Sequence, residues 1–168
     1  MKIIVIGCPG SGKSTFSQKL SKVLNIPLFH LDMLYHNEDG THISKEELEE
    51  KLTRIFKEND NWIIDGNYQR TLEMRMEECD MIFLLDYPLE VCLAGAESRI
   101  GKKRDDLPWV EEKLDDEFKQ VIINFSKEKL PQIYELLEKY KDSKRIVIFK
   151  SREEANDYII SNLLNIKQ

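Results

Sequence analysis

The sequence predicts an α/β fold built on a five-stranded, mostly parallel sheet that is flanked by helices. Short apolar segments with the length of strands alternate with longer segments whose apolar residues recur at helical spacing. The segment from residue 81 to residue 85 is apolar throughout, as is typical of a parallel strand buried on both faces. Together, these two observations favour a parallel sheet with right-handed helical crossovers.

Five strands are predicted, and three of them end at an aspartate. They cover residues 2–6, 28–32, 62–65, 81–86 and 145–149. In open parallel sheets, ligands bind beyond the carboxyl ends of the strands. We therefore expect Asp32, Asp65 and Asp86 to lie at the same edge of the sheet as any ligand.

Helices are predicted in the intervals between the strands and after the last one. Ser44 and Glu47 form a capping box at the start of one helix, and Pro88 suits the first turn of another. Pro131 restarts a helix in the second half of the chain, and Ser151 is expected to cap the last helix. No repeat, linker or low-complexity segment interrupts this alternation.

The strongest motif in the chain follows the first strand. It fits the phosphate-binding pattern G-x-x-x-x-G-K-[ST], the P-loop, and consists of Gly7, Cys8, Pro9, Gly10, Ser11, Gly12, Lys13, Ser14 and Thr15. Glycines let the loop curl with its N–H groups toward an anion. Lys13 is expected to reach the terminal phosphates of ATP, and the Ser14 hydroxyl to bind Mg²⁺. The strand before the motif and the helical spacing after it argue against a chance glycine-serine turn.

Composition excludes several classes of protein. With 168 residues, 41% hydrophobic and 33% charged, the chain suits one globular domain. A net charge of −6 does not suit a general nucleic-acid binder. Cys8, Cys79 and Cys92 are scattered singly, which fits neither a zinc site nor a disulfide framework. No signal peptide or membrane-spanning run is predicted, so we expect a cytoplasmic monomer or homodimer.

Further motifs carry a family resemblance. The segment from Asp65 to Thr71, DGNYQRT, resembles the D-G-F-P-R-T segment of adenylate kinases with one residue inserted. Arg99-Ile100 and Arg104-Asp105-Asp106 are similar to the R-I and R-x-D-D elements beside the lid of those enzymes. Over nearly its whole length, the chain resembles the adenylate-kinase-like P-loop kinases, a group that includes nucleoside monophosphate kinases and shikimate kinase.

The pattern is closer still to small bacterial proteins described as adenylate-kinase-related or DNA topology modulation proteins. The similar segments are HLD at 30–32, IIDGNY at 63–68 and FLLDYP at 83–88. The resemblance implies one P-loop NTPase domain over 1–168, with an acceptor-side helical segment at about 33–61 and a short lid at about 98–112. The chain departs from its relatives at Gly95, where they carry an arginine, and in its acceptor loop, so AMP is not assumed to be the acceptor.

The resemblance also implies ATP- and Mg²⁺-dependent phosphoryl transfer to a small acceptor, with roles for four arginines. Arg70 is the candidate for binding an acceptor phosphate, and Arg99 and Arg104 are candidates for closing over the transferred group. Arg152 follows the last strand, where this fold often seats the adenine base. The alternative for Arg70, Arg99 and Arg104 is a solvated charge near a helix end. For the segment of Arg152, the alternative is that Ser151 serves only as a helix N-cap.

The three aspartates have two interpretations each. Asp86 either holds Mg²⁺, directly or through water, or caps the following helix. Asp32 is either the base for an acceptor hydroxyl or a turn cap at a strand end. Asp65 either supports Mg²⁺ from outside its ligand shell or holds the turn at Gly66.

Two other functions stay open. The first is a non-catalytic or regulatory ATP-binding protein, linked to DNA topology, against which the acidic net charge argues. The second is a slow ATPase or GTPase switch, for which no guanine-reading N-K-x-D motif is present.

Overall fold

The computed structural model describes residues 1–164, with side chains described as far as Asn162. Its sheet has five strands, all parallel, in the order β2-β3-β1-β4-β5. The strands are β1 Lys2–Gly7, β2 Leu28–His30, β3 Trp62–Asp65, β4 Met81–Leu85 and β5 Arg145–Phe149. The predicted fold class is confirmed; the last four residues of the predicted 1–168 domain lie outside the described residues.

Helices connect the strands and follow the last one. They are α1 Lys13–Leu24, α2 Leu31–Tyr35, α3 Lys45–Glu58, α4 Gln69–Glu78, α5 Leu89–Ser98, α6 Asp116–Glu128, α7 Leu130–Tyr140 and α8 Arg152–Ile159, the last continued by a π-helical turn, Ile160–Leu164. The predicted capping box forms, because Ser44 accepts from the Glu47 N–H and Glu47 accepts from the Ser44 N–H. Ser151 likewise caps α8 by accepting from the backbone of Glu154.

The core lies on both faces of the central strands. The side chains of Ile4, Val5 and Ile6 in β1 have no exposed surface, as expected for a strand flanked by two others and covered by helices. Phe16 of α1 packs edge-on against Phe83, with ring centroids 5.1 Å apart.

The second strand is shorter than predicted. It ends at His30, and Leu31 to Tyr35 form the short helix α2, so Asp32 lies in a first helical turn rather than at a strand end. A short apolar run satisfies strand and helix patterns equally, which explains the difference. Leu31 is fully buried and packs against Gly66, where an added Cβ would lie 2.9 Å from the Leu31 Cβ.

A segment without regular secondary structure joins α5 to α6 and contains the predicted lid. Its two ends are held together by a hydrogen bond of 2.7 Å from the Gly101 N–H to the Glu111 carbonyl. Within residues 1–164, no helix has the length and apolar character required to cross a membrane.

Candidate functional site

A cavity of about 810 Å³ opens beyond the carboxyl ends of the central strands, where a parallel sheet places its ligands. The loop after β1 forms its floor, and the segment between α5 and α6 lies over it. Of the sequence-predicted site residues, those that line the cavity are Pro9, Gly10, Ser11, Gly12, Lys13, Ser14, Thr15, Asp32, Asp65, Arg99, Arg104 and Arg152.

The backbone of the P-loop has the conformation that its glycines predict. Gly7, Gly10 and Gly12 have φ angles of +153°, +82° and +96°, which side chains rarely tolerate. At Gly10 space is also a constraint, since an added Cβ would lie 2.0 Å from the Cys92 carbonyl oxygen of α5. Cys8 contributes its backbone to the loop, because its thiol faces away and donates to the Ile122 carbonyl at 3.8 Å.

An amide side chain fixes the start of the loop. Asn67 donates from Nδ2 to the Gly7 carbonyl at 2.6 Å and accepts from the Gly7 N–H at 3.0 Å. This pair of bonds continues the hydrogen bonding between β1 and β3, where Gly66 N–H donates to the Val5 carbonyl. The acceptor loop and the P-loop are therefore joined directly.

Lys13 is folded back into the loop. Its Nζ donates to the Gly7 and Cys8 carbonyls at 3.0 and 3.1 Å. Burial lowers the pKa of Lys13 below its ordinary value, and the negative charges of Asp65 and Asp32 oppose that shift. A buried cation held only by carbonyl groups is available to a phosphate that enters the loop.

The segment over the cavity is attached to the P-loop through Asp106. The Ser14 hydroxyl donates to Asp106 Oδ2 at 2.5 Å. Arg104 donates to both oxygens of the same carboxylate, from Nε to Oδ1 at 2.8 Å and from Nη2 to Oδ2 at 2.5 Å. Burial works against the charged form, yet the hydrogen bonds from Arg104 and Ser14 lower the pKa of Asp106. Asp106 is therefore an ionised carboxylate beside the hydroxyl expected to bind magnesium.

Glu111 completes this group of charges. Arg104 Nη1 donates to Glu111 Oε2 at 2.7 Å, and Arg99 Nε lies 3.1 Å from the same oxygen. Arg99 also lies over the ring of Phe118, 5.5 Å from its centroid. Both predicted lid arginines thus line the cavity, each paired with an acidic residue.

Magnesium prefers oxygen ligands and is commonly held by one or two carboxylates together with substrate phosphates. Ser14 and Asp106 supply that chemistry, and Asp65 lines the same cavity. Across the described part of the chain, no group of three or more His, Cys, Asp or Glu residues is arranged to hold a metal ion alone. The residues present therefore fit a magnesium ion that arrives with a nucleotide.

The structure corrects the role predicted for Asp86. Its carboxylate accepts from the Tyr134 hydroxyl at 2.7 Å and from the Lys150 ammonium group, and it does not line the cavity. After β4, the Asp86 N–H donates to the Phe149 carbonyl of β5, so the backbone turns toward β5 and the Asp86 side chain does not face the cavity. Asp86 therefore links the end of β4 to α7 through Tyr134, and the carboxylate that contacts the Ser14 hydroxyl is Asp106.

On the opposite side of the cavity, Asp32 and Asp65 are each held by a neighbour. The Tyr68 hydroxyl donates to Asp32 Oδ1 at 2.7 Å, and His30 Nδ1 lies 2.9 Å from Asp65 Oδ2. Burial and the charge of Asp32 raise the pKa of Tyr68, so its hydroxyl keeps the proton it donates. Burial disfavours protonated His30, but Asp65 outweighs burial and raises the pKa of His30.

The structure also corrects the role predicted for Arg70. Its guanidinium group bonds Glu49 at 2.6 Å and Glu46 at 2.9 Å on the outer face of α3, with 45% of the side chain exposed. Gln69, the first residue of α4, lines the cavity instead. Because neighbouring residues of a helix point in different directions, Arg70 is turned away from the site.

Arg152 reaches the loop from α8. Its Nη2 donates to the Gly10 carbonyl at 3.3 Å. The same atom would lie 2.8 Å from a Cβ added to Gly95, and that Cβ would also lie 2.0 Å from the Gly10 oxygen. The absence of a side chain at Gly95 thus lets the P-loop and the Arg152 guanidinium group meet against α5.

Four contributors to the site were not predicted: Asn67, Arg75, His30 and Asp106. Arg75 is fully buried and donates to the carbonyls of the acceptor loop, including Gly66 at 2.9 Å. A cation flanked by apolar residues on a buried helix face was the signal for Arg75. For Asn67 and His30 no local signal exists, because Gly7 and Asp65 lie 60 and 35 residues away in sequence. Asp106 belongs to a visible motif, but its contact with Ser14 spans 92 residues.

Comparison with curated proteins finds kinases. The chain is 29% identical over 110 residues to a shikimate kinase of Rhodococcus jostii, covering 60% of this chain and 65% of the relative. It is 31% identical over 106 residues to an adenylate kinase of Thermosipho melanesiensis, covering 61% and 48%. The chain therefore spans less than two thirds of either relative. These relatives support the resemblance to small-molecule P-loop kinases and do not support the resemblance to DNA topology modulation proteins.

Among solved structures, a shikimate kinase from Bacteroides thetaiotaomicron superposes with a TM-score of 0.58 and 17% identity, covering 100% of this chain and 99% of that one. This likeness confirms the P-loop kinase fold. A family model described as "AAA domain" matches residues 3–120, from the first strand through the P-loop and the segment over the cavity. Since that match covers more than half of the sequence, the chain belongs to this AAA domain family.

Proposed function

We propose that this chain is an ATP- and Mg²⁺-dependent kinase that transfers the γ-phosphoryl group of ATP to a small acceptor. One observation carries the proposal: a P-loop, three arginines and four aspartates line one cavity of about 810 Å³. Phosphoryl transfer requires positioning and charge neutralisation more than covalent chemistry. The relatives whose names identify them as shikimate kinase and adenylate kinase support the same activity.

The P-loop side of the cavity holds the nucleotide. Its backbone N–H groups and Lys13 bind the β- and γ-phosphates, and the first turn of α1 directs its positive end toward them. Ser14 and Asp106 hold Mg²⁺, which neutralises charge on the phosphates. Asp65 supports this site from the far side of the cavity. Arg152, beside Gly10, contacts the nucleotide from α8.

The short lid, about residues 98–112, supplies the remaining positive charge. As charge spreads over the oxygens of the transferred group, Arg99 and Arg104 stabilise it. The same segment covers the cavity and excludes water, which favours transfer to the acceptor over hydrolysis. Paired carboxylates keep the lid arginines in place before the nucleotide enters.

The acceptor enters from the side formed by α2 and the loop before α4. Asp32, Asn67, Tyr68 and Gln69 line the cavity there. The acceptor is a small molecule, and the chain acts as a monomer or homodimer. A regulatory ATP-binding protein linked to DNA topology is the competing function, and the following experiment separates the two.

The test is ADP formation from MgATP with and without a panel of acceptors. Panel members are nucleoside monophosphates, nucleosides, sugars and hydroxy acids, and Lys13→Ala serves as the blank. Lys22→Ala, on an exposed position of the same helix, is the matched control and should keep full activity. We expect one acceptor to raise turnover at least tenfold, and Lys13→Ala to abolish that gain while unfolding at a temperature close to wild type.

Two results would contradict the proposal. Tight MgATP binding with no acceptor-dependent turnover favours the regulatory alternative, for which salt-dependent DNA binding is then measured. Turnover that survives in Lys13→Ala shows that the P-loop is not the phosphate site.

A further inference from the structure

The acceptor side of the cavity is lined by acidic and neutral side chains, which does not suit an acceptor that carries a phosphate or a carboxylate group. Its lining side chains come from α2, β3 and the loop into α4: Asp32, Asp65, Asn67, Tyr68 and Gln69. Within the described residues, this wall thus presents two carboxylates, two amides and one phenol, and no cationic side chain. Anionic ligands are normally recognised by arginine or lysine.

The two arginines of α4 do not supply the missing charge. Arg70 is occupied by Glu46 and Glu49 on the outer surface. Arg75 is fully buried, and its guanidinium group donates to the backbone carbonyls of Gly66 and Tyr68 among others. Burial lowers the pKa of Arg75 to about 9. Neither guanidinium group can turn into the cavity without abandoning these partners.

The lid arginines differ in how they are held. All three nitrogens of the Arg104 guanidinium group donate to Asp106 or Glu111. Arg99 lies 3.1 Å from Glu111 through Nε, which makes no hydrogen bond there. Both arginines are assigned above to the transferred phosphoryl group. An anionic acceptor would bring a further negative charge to Asp32 and Asp65 without a cation reserved for it.

Asp32 is positioned to receive a hydroxyl group. Tyr68 donates to Oδ1 at 2.7 Å, while Oδ2 accepts no hydrogen bond from any residue of the described chain. Tyr68 is held in place from behind, since its hydroxyl lies 3.3 Å from His36 Nε2 and its carbonyl accepts from Arg75. One fixed carboxylate oxygen therefore remains open at the edge of the cavity.

We propose, on the basis of the kinase function above, that the acceptor is an alcohol without negative charge, such as a sugar, polyol or nucleoside. Its hydroxyl donates to Asp32 Oδ2. The oxygen of that hydroxyl forms a bond to the γ-phosphorus, and its proton passes to Oδ2. The bond between the γ-phosphorus and the β–γ bridging oxygen breaks, and ADP leaves with the electron pair. Nucleoside monophosphates and hydroxy acids are excluded by Asp32 and Asp65.

The experiment compares three acceptor classes at saturating MgATP: neutral polyols and nucleosides, hydroxy acids, and nucleoside monophosphates. ADP formation is followed in a coupled assay, and the product is identified by phosphorus NMR. We expect a neutral alcohol to raise turnover at least tenfold and to yield a phosphate monoester, with less than a twofold effect from both anionic classes. Preference for an anionic acceptor overturns this inference and leaves the kinase function standing. A flat panel overturns both.

Variants of the aspartate and its tyrosine separate the chemistry from folding. Asp32→Asn should lower kcat about 10²–10⁴-fold with unchanged MgATP affinity, whereas an anionic acceptor would gain affinity when the charge is removed. Asp60→Asn, at an exposed position, is the matched control. Tyr68→Phe tests positioning, because loss of its hydrogen bond leaves the Asp32 carboxylate free to rotate: kcat should fall while the KM of the acceptor changes little. An unchanged kcat in Tyr68→Phe, or an Asp32→Asn enzyme of wild-type kcat, refutes the assignment.

Discussion

Replacing Asn67 by alanine should destabilise the protein and weaken nucleotide binding together. The substitution removes two hydrogen bonds to Gly7, of 2.6 and 3.0 Å, at a partly buried position. The Gly7 carbonyl keeps Lys13 as a donor at 3.0 Å, but the Gly7 N–H loses its side-chain acceptor. A buried donor left unsatisfied costs about 1–3 kcal/mol. The free energy of unfolding should fall by that amount.

Urea unfolding measures the loss directly, and thermal unfolding should show a decrease of about 2–4 °C for each kcal/mol in a domain of this size. MgATP affinity, measured by calorimetry, should fall because the first residue of the loop is no longer held. Asn37→Ala is the control, since it removes one hydrogen bond from an exposed loop, where water replaces it. Asn67→Asp should not restore stability or MgATP affinity, because the new carboxylate oxygen replaces the donor that lies 2.6 Å from the Gly7 carbonyl and repels that oxygen.

The reasoning fails if Asn67→Ala unfolds within about 0.5 kcal/mol of wild type, the range typical of surface substitutions. It also fails if stability drops but MgATP affinity does not, because the hydrogen bonds would then stabilise the fold without shaping the loop.

Three further predictions concern other contacts of the site. The pKa of His30 is raised in the folded state, so its pairing with Asp65 stabilises the protein fully below the ordinary pKa of 6.5, and this contribution is lost as pH rises through the raised pKa. When urea unfolding is measured across this pH range, His30→Gln should reduce the fall in unfolding free energy with rising pH. If the variant shows the same fall as wild type, other groups cause it. Gly95→Ala places a Cβ 2.0 Å from the Gly10 oxygen, so it should lower the unfolding free energy by about 1–3 kcal/mol and weaken MgATP binding. A variant with wild-type MgATP affinity would show that the P-loop can move away from the new methyl group without loss of binding. Arg70→Ala should leave the KM of the acceptor within twofold, since Arg70 faces solvent, and a tenfold rise would restore its predicted role.

The parts of the site that could be predicted from sequence are those encoded by neighbours along the chain. The P-loop and the capping box at Ser44 depend on residues within a few positions of one another, and both form as predicted. Side-chain direction across the fold is not encoded in this way. Asp86 and Arg70 have suitable residue types beside suitable strands, yet a turn toward β5 and the phase of α4 direct them elsewhere.

Asp106 illustrates the opposite case. Its motif was visible, but nothing near it in sequence indicates that the lid would bring this carboxylate, rather than Asp86, to Ser14. Only the closure of the segment between α5 and α6 makes that contact.

The strand order has a consequence for how such a protein can change. Because β1 separates β3 and β2 from β4 and β5, the residues proposed for the acceptor lie on one flank, and those that pack around the nucleotide loop from α5 and α8 lie on the other. Asn67 joins the acceptor flank to Gly7, at the end of the central strand. Substitutions between α2 and α4 could therefore exchange one acceptor for another while the ATP machinery is inherited intact. For protein engineering, acceptor selectivity can be varied within residues 31–69, provided that Asp32, Asp65, Asn67 and the buried residues of β3 are retained.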